Sequence, residues 1–252
     1  MTSAPLVAVA HGSRDPAAAR AVEDLVAEVR RQRPGLAVTC CYLEHAAPRL
    51  PAALGAAGSG AVVVPLLLTE AFHSRTDLPA QLAAVDPAAV PTDVLGPHPV
   101  LLAGLERRLA EAGVPPGDPA TAVVLAAAGS SHPAAQRTIR DVARAWRTRG
   151  WWAVEPAYAS GGVPGVADAV SALRARGAPR VAVASYLLGP GRFADHLAAS
   201  GADVVSAPLA DAPEVAAVVL ERYDAARPTS ARVDNIEHDP EPSSRPRRSP
   251  PR

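Results

Sequence analysis

The segment GSRDPAAAR, which begins at Gly12, returns as GSSHPAAQR from Gly129, and each copy follows a short, unbroken apolar run: Leu6 to Ala10 before the first, Ala122 to Ala128 before the second. The echo continues downstream. CCYLE around Tyr42 is matched by PAYAS around Tyr158, and VVVPLLLTEAFHSRTDL is matched by VAVASYLLGPGRFADHL. A chain that repeats a strand, helix, strand, helix order in this way is expected to fold as two similar α/β lobes facing each other, each with a central parallel sheet flanked by helices. The spacing predicts an N-terminal lobe over residues 1–116, with GVPPGDP acting as a linker near its end, and a duplicated lobe over 117–226. Residues 227–252, rich in proline, serine and mixed charge and almost empty of large apolar side chains, are expected to be a disordered tail.

Within the first lobe, Leu6 to Ala10 reads as a strand buried on both faces. Gly12 permits a tight turn, Ser13 or Asp15 can cap the following helix, and Pro16 suits its first turn, with Val22, Leu25, Val26 and Val29 recurring at helical spacing. Leu36 to Leu43 is a second strand candidate, Pro48 to Ala57 a helix, Ala61 to Leu68 a third strand, and Asp93 to Leu95 a weak fourth. A helix is expected to begin near Leu78 and another to run from Val100 to Ala112.

Composition removes several function classes. In 252 residues the chain carries 25 arginines and lysines, all of them arginine, against 25 acidic residues, so no basic field for nucleic acid emerges. No run approaches the roughly 20 apolar residues of a membrane span, and no basic segment precedes an apolar one at the amino terminus, so a cytoplasmic protein without a membrane partner is expected. Cys40 and Cys41 are adjacent on a strand and would point to opposite faces; they are read as packed, reduced thiols.

Three residues stand at or just past predicted strand ends: His11 after the first strand, Glu44 after the second, and His73 on the loop after the third. Parallel strands align their carboxyl ends along one edge, where open α/β sheets bind ligands. Two imidazoles and a carboxylate meeting there suit a borderline divalent metal such as Co²⁺, Fe²⁺, Ni²⁺ or Zn²⁺. They equally suit acid/base chemistry near neutral pH, and spacing alone also allows them to be loop anchors. The second half differs where the chemistry would lie: Ala128 stands in place of His11, Ser160 in place of Glu44, and Gly191 or Arg192 in place of His73. Of the other histidines, His45 is expected to face away from Glu44, His98 to start a helix, His196 to sit on one, and His132 to be able to contact substrate.

VAHGSRDPAA, CYLEHAAPRLPAAL and VVVPLLLTEAFHSRTDLP, in this order and spacing, resemble the class II chelatases, specifically the CbiX and SirB group of sirohydrochlorin chelatases, over roughly residues 5 to 226. The resemblance implies a two-lobed chelatase fold with the tetrapyrrole between the lobes, and insertion of Co²⁺ or Fe²⁺ into sirohydrochlorin for cobalamin or siroheme biosynthesis. By motif, His11, Glu44 and His73 take the catalytic places, with His11 and His73 contacting the metal. Substrate contacts are implied for Ser13, Arg14, Glu44, Leu68, Thr69, Glu70, Ala71, Phe72, His73 and Arg75. No cofactor beyond the divalent metal substrate is implied. TEAF replaces the glycine-rich segment usual before the second histidine. The internal duplication resembles the long members of the family, so a monomer is expected to suffice.

A serine hydrolase lacks its GxSxG elbow here. A non-catalytic carrier of metal or tetrapyrrole would use the same histidines, and is separated from a chelatase by whether sirohydrochlorin changes its visible spectrum.

Overall fold

The computed structural model of the chain describes residues 3–69 and 78–226. In the first lobe β1 (Leu6–Ala10) is flanked by β2 (Val38–Tyr42) and β3 (Val62–Pro65), with β4 (Val90–Pro91) outside β3. All pairings are parallel, with Leu6 opposite both Val38 and Val62. Every residue of β1 and β3 is buried, as expected of strands covered on both faces. The second lobe repeats the arrangement in the order β6 (Ala153–Tyr158), β5 (Thr121–Ala127), β7 (Arg180–Tyr186), β8 (Val204–Val205).

Side-chain alternation along β1 distributes the helices. Leu6, Ala8 and Ala10 face α1 (Pro16–Gln32) through Val22, Leu25, Val26 and Val29, whereas Val7 and Val9 face α2 (Leu50–Ala57) and α3 (Leu78–Val85) through Leu50, Ala53, Leu54 and Leu82. α1 and α2 thus lie on opposite faces of the sheet, which makes the carboxyl end of β1 the switch point where such sheets open a crevice. Cys40 and Cys41 fall on opposite faces, unpaired, the latter buried.

The helices that end each lobe are exchanged. α4 (Pro99–Glu111) follows β4 yet packs on β7 of the other sheet, and α8 (Pro213–Ala226) follows β8 yet packs on α1 and β3. One apolar core consequently runs through both lobes, joining Leu6, Val64 and Leu105 to Leu125, Trp146, Val219 and Tyr223. Polar contacts close its edges: the Tyr223 hydroxyl donates to the Ala4 carbonyl at 2.6 Å, Arg222 Nε to Val94 O at 2.9 Å, and Trp146 Nε1 to Glu106 Oε1 at 2.8 Å. Arg107 reaches Glu214 at 3.0 Å and Arg33 reaches Asp224 at 2.7 Å. The remaining helices, α5 (Pro133–Arg147), α6 (Val166–Ala175) and α7 (Arg192–Ala198), flank the second sheet. Among the described residues, no helix is long and apolar enough to cross a membrane.

Some expected strand limits shift. Asp93–Leu95 is not the fourth strand. The ladder forms at Val90–Pro91, where Val90 N–H and Thr92 N–H donate to Ala61 O and Val63 O. Beyond it Leu95 N–H donates to Leu67 O, and the apolar side chains of Val94 and Leu95 that suggested a strand are buried loop residues. β3 stops at Pro65 rather than Leu68 because a tight turn, closed by Leu67 N–H to Pro65 O, takes the chain off the sheet after Leu66. The segment assigned to a tail, 227–252, lies outside the described residues.

Candidate functional site

His11 follows β1 directly, and its side chain is exposed at the carboxyl edge of the sheet. The chain then turns at Gly12, whose φ is +96°. A Cβ there would lie 1.8 Å from the Glu44 carbonyl oxygen and 3.3 Å from Tyr42 Cβ, so only glycine lets the turn approach the end of β2 this closely. The approach is sealed by the ladder continuing past both strands: Leu43 N–H donates to Ala10 O at 3.0 Å, and Glu44 N–H to His11 O at 2.8 Å. His11 and Glu44 are therefore adjacent by backbone hydrogen bonding, although the whole of α1 separates them in sequence.

The helix that leaves this turn is capped by Asp15, whose carboxylate accepts from Ala17 N–H at 2.8 Å; Ser13 supports the cap, its hydroxyl oxygen accepting from Asp15 N–H at 3.0 Å. Ser13 is thus half-buried within the turn, whereas Arg14 projects into solvent. Below the site, burial raises the Tyr42 phenol to about 12 and also raises the Cys40 thiol, so neither offers a proton near neutral pH.

His45 does not face away. It adopts φ +61°, the one positive φ outside glycine among the described residues, and its Nε2 lies 3.3 Å from Glu44 Oε2. Backbone conformation at a single loop residue is not written in strand periodicity. The clue in the sequence lies at the matching position of the repeat, which is Gly161.

After β3, Leu68 is buried in the shared core and presents its backbone rather than its side chain: its carbonyl accepts from the hydroxyl of Tyr186, the last residue of β7, at 3.1 Å. Gly96 completes this junction, since a Cβ there would lie 2.2 Å from Leu68 O and 2.3 Å from the Tyr186 hydroxyl. Thr69 is half-buried. Glu70, Ala71, Phe72, His73 and Arg75 lie outside the described residues. Among the described residues, no three histidine, cysteine or acidic side chains are grouped closely enough to hold a metal ion.

The second lobe copies the scaffold and not the ionisable groups. Gly129 has φ +98°, with a Cβ falling 1.5 Å from Ser160 O, and Ser160 N–H donates to Ala128 O at 2.9 Å. Ser130 Oγ accepts from His132 N–H at 3.1 Å, as Ser13 does from Asp15. His132 occupies the N-cap of α5 without a side-chain cap bond. Arg192, at the start of α7, is exposed, with its guanidinium 5.8 Å from the Phe193 ring centroid. The loop after β7 also reaches the first lobe: a Cβ at Gly189 would touch Ala18 and Ala21 of α1, and one at Gly191 would stand 3.8 Å from Asp15 Oδ2. The strand ends of the second lobe therefore abut the helix that follows His11. His98 caps α4, accepting from Val100 N–H at 3.2 Å, and His196 lies exposed on α7.

Comparison with solved structures places this architecture. The fold matches SirB from Bacillus subtilis with Fe³⁺ at a TM-score of 0.75 and 21% identity, covering 88% of this chain and 94% of that one. SirB from Bacillus subtilis subspecies spizizenii in complex with cobalt gives 0.69 and 20%, over 88% and 94%. CbiX, described as the terminal enzyme for biosynthesis of siroheme in denitrifying bacteria, gives 0.67 and 24%, over 89% and 100%. At these identities the likeness is one of fold. No curated protein matches the sequence significantly. The family model CbiX matches twice, over residues 5–112 and 122–226, one match for each lobe, and the chain belongs to the CbiX family.

Proposed function

We propose that this protein is a sirohydrochlorin chelatase that inserts Co²⁺ or Fe²⁺ into the free-base macrocycle, in the cytoplasm and as a single chain, in cobalamin or siroheme biosynthesis. The observation that carries the reading is the backbone bond from Glu44 to His11 at the switch point of the first sheet, repeated in the second lobe as Ser160 to Ala128 with no ionisable side chain at either place. One lobe keeps an imidazole and a carboxylate together on a rigid frame, and its copy keeps the frame alone.

Insertion exchanges two pyrrole N–H protons for one divalent cation with no change in electron count, so bases and a cation guide are required and a redox cofactor is not. His11, exposed at the strand end, accepts a pyrrole proton or delivers the metal; neutral imidazole does either near physiological pH. Glu44 and His73 hold the arriving cation or take the second proton, a donor set that suits both cobalt and iron. The carboxylates of the macrocycle are met by Arg14 and Arg75, by the turn at Ser13, and from the second lobe by Ser131 and Arg192, while the stretch from Leu68 to His73 forms the loop beside the ring. The neighbouring folds solved with Fe³⁺ and with cobalt support a metal substrate.

The test is to supply sirohydrochlorin with Co²⁺ or, anaerobically, with Fe²⁺, and to follow its visible spectrum. Enzyme-dependent conversion is expected, with the faster metal identifying the physiological one. Stoichiometric metal binding without a change in the tetrapyrrole spectrum would instead establish a carrier.

A further inference from the structure

Position 45 and its counterpart in the duplicated lobe share a positive φ and differ in what they place there. The turn after β2 puts His45 at φ +61°, and the turn after β6 puts Gly161 at φ +58°. Both follow a residue, Glu44 or Ser160, whose N–H is bound to the end of the central strand. The turn after the second strand thus takes a positive φ at this position in each lobe. Glycine adopts it freely and a residue with a Cβ does not. The lobe with Ala128 and Ser160 at its strand ends has the glycine; the lobe with His11 and Glu44 there carries an imidazole at the disfavoured position. Strain of this kind persists where the side chain has work that glycine cannot do.

The contact names the work. His45 Nε2 lies 3.3 Å from Glu44 Oε2, and the turn is closed around it by Ala46 N–H to Glu44 O at 2.7 Å. Both side chains remain accessible, at 38% and 48% exposure, so the pair adds little to stability and is open to solvent at the sheet edge. The Gly161 site shows where the position looks: a Cβ placed there sits 3.5 Å from the Ser130 backbone, in the loop equivalent to the one carrying His11 through Asp15.

We propose that His45 is a positioning residue for Glu44, its imidazole fixing the carboxylate in the orientation that meets the incoming divalent cation. The inference rests on the chelatase reading. A carboxylate with free torsions spends much of its time pointed elsewhere, and an imidazole held 3.3 Å from it restricts that freedom, as the partners behind metal-facing groups do in general.

The experiment compares wild type, Glu44→Gln, His45→Gly, the double variant and His45→Asn. Glycine removes the imidazole while suiting the backbone, so the melting temperature of His45→Gly is expected to hold or rise. Its kcat for cobalt insertion is expected to fall about tenfold, with KM for sirohydrochlorin unchanged. The fall should vanish on the Glu44→Gln background. Asparagine tolerates the left-handed region and offers an amide N–H to the carboxylate, so His45→Asn should recover most of the loss. Wild-type kcat in His45→Gly, or an equal fall with and without Glu44, overturns the proposal. Calorimetry of Co²⁺ binding to the same proteins reads the pairing without catalysis: weaker binding in His45→Gly that disappears on the Glu44→Gln background supports it, and equal affinities overturn it. Absence of insertion by wild type would refute the chelatase reading, and the calorimetric result would still decide the role of His45.

Discussion

The amide of Glu44 donates to the carbonyl of His11 at 2.8 Å, and Gly12 is the residue that lets the two approach, because any Cβ at that turn would strike the Glu44 carbonyl. The site is therefore built by the ladder between β1 and β2 running one step past the strands. Its stability is inseparable from the turn glycine.

Replacing Gly12 or Gly129 by alanine is expected to destabilise the protein by roughly 2–4 kcal/mol each, since a left-handed φ is combined with a backbone clash. Gly35, at φ +85° with open space around its Cβ direction, provides the control, and Gly35→Ala should cost about 1 kcal/mol from the conformation alone. Urea unfolding midpoints of the three variants check the ranking. Equal effects would mean that the clash is relieved by movement of the turn.

The exchange of α4 and α8 predicts that neither half is self-sufficient. A fragment of residues 1–116 lacks the helix that supplies Val215, Val219 and Tyr223 to the face of α1 and β3, and should lose cooperative unfolding and bind hydrophobic dye. Co-expression with 117–226 should restore a soluble complex. A fragment that unfolds cooperatively alone would contradict the shared core.

Burial pushes the Cys41 thiol from an ordinary 9.0 up to about 12. The folded state keeps the proton that the unfolded chain releases above about pH 9, so the contribution of this group is complete below that pH and is lost as the pH rises toward 12. Cys41→Ala should consequently remove up to about 2 kcal/mol of the stability lost between about pH 8 and about pH 10.5. Denaturant midpoints at the two pH values, wild type against variant, measure it; parallel losses in both proteins would show that Cys41 does not ionise on unfolding.

Much of this architecture was legible in the chain. The repeated GSxxPAAxR announced the duplication, and the spacing of Val22, Leu25, Val26 and Val29 placed the buried face of α1. His11 and Glu44 at strand ends were readable because parallel strands end along one edge. Other features have no local signature. The apolar stripes of α4 and α8 state that these helices are buried and not which sheet buries them, so the exchange emerges only in the fold. Val94 and Leu95 resembled a strand because core burial and strand pairing both select apolar residues. Adjacency in sequence suggests that His45 points away from Glu44, and the turn with φ +61° instead brings the two side chains together. His73 and the stretch around it lie outside the described residues, and their role stands on the proposal above.

The division of labour between the lobes is the central claim, and steady-state kinetics with sirohydrochlorin varied at saturating metal tests it most directly. His11→Ala and Glu44→Gln should lower kcat by about a hundredfold or more with KM little changed, because these groups act on the proton and the metal during insertion. Ser131→Ala and Arg192→Ala, both at exposed positions of the second lobe, should raise KM and leave kcat near wild type. His11→Ala retaining near-normal kcat, or the second-lobe variants losing kcat at constant KM, would contradict the account.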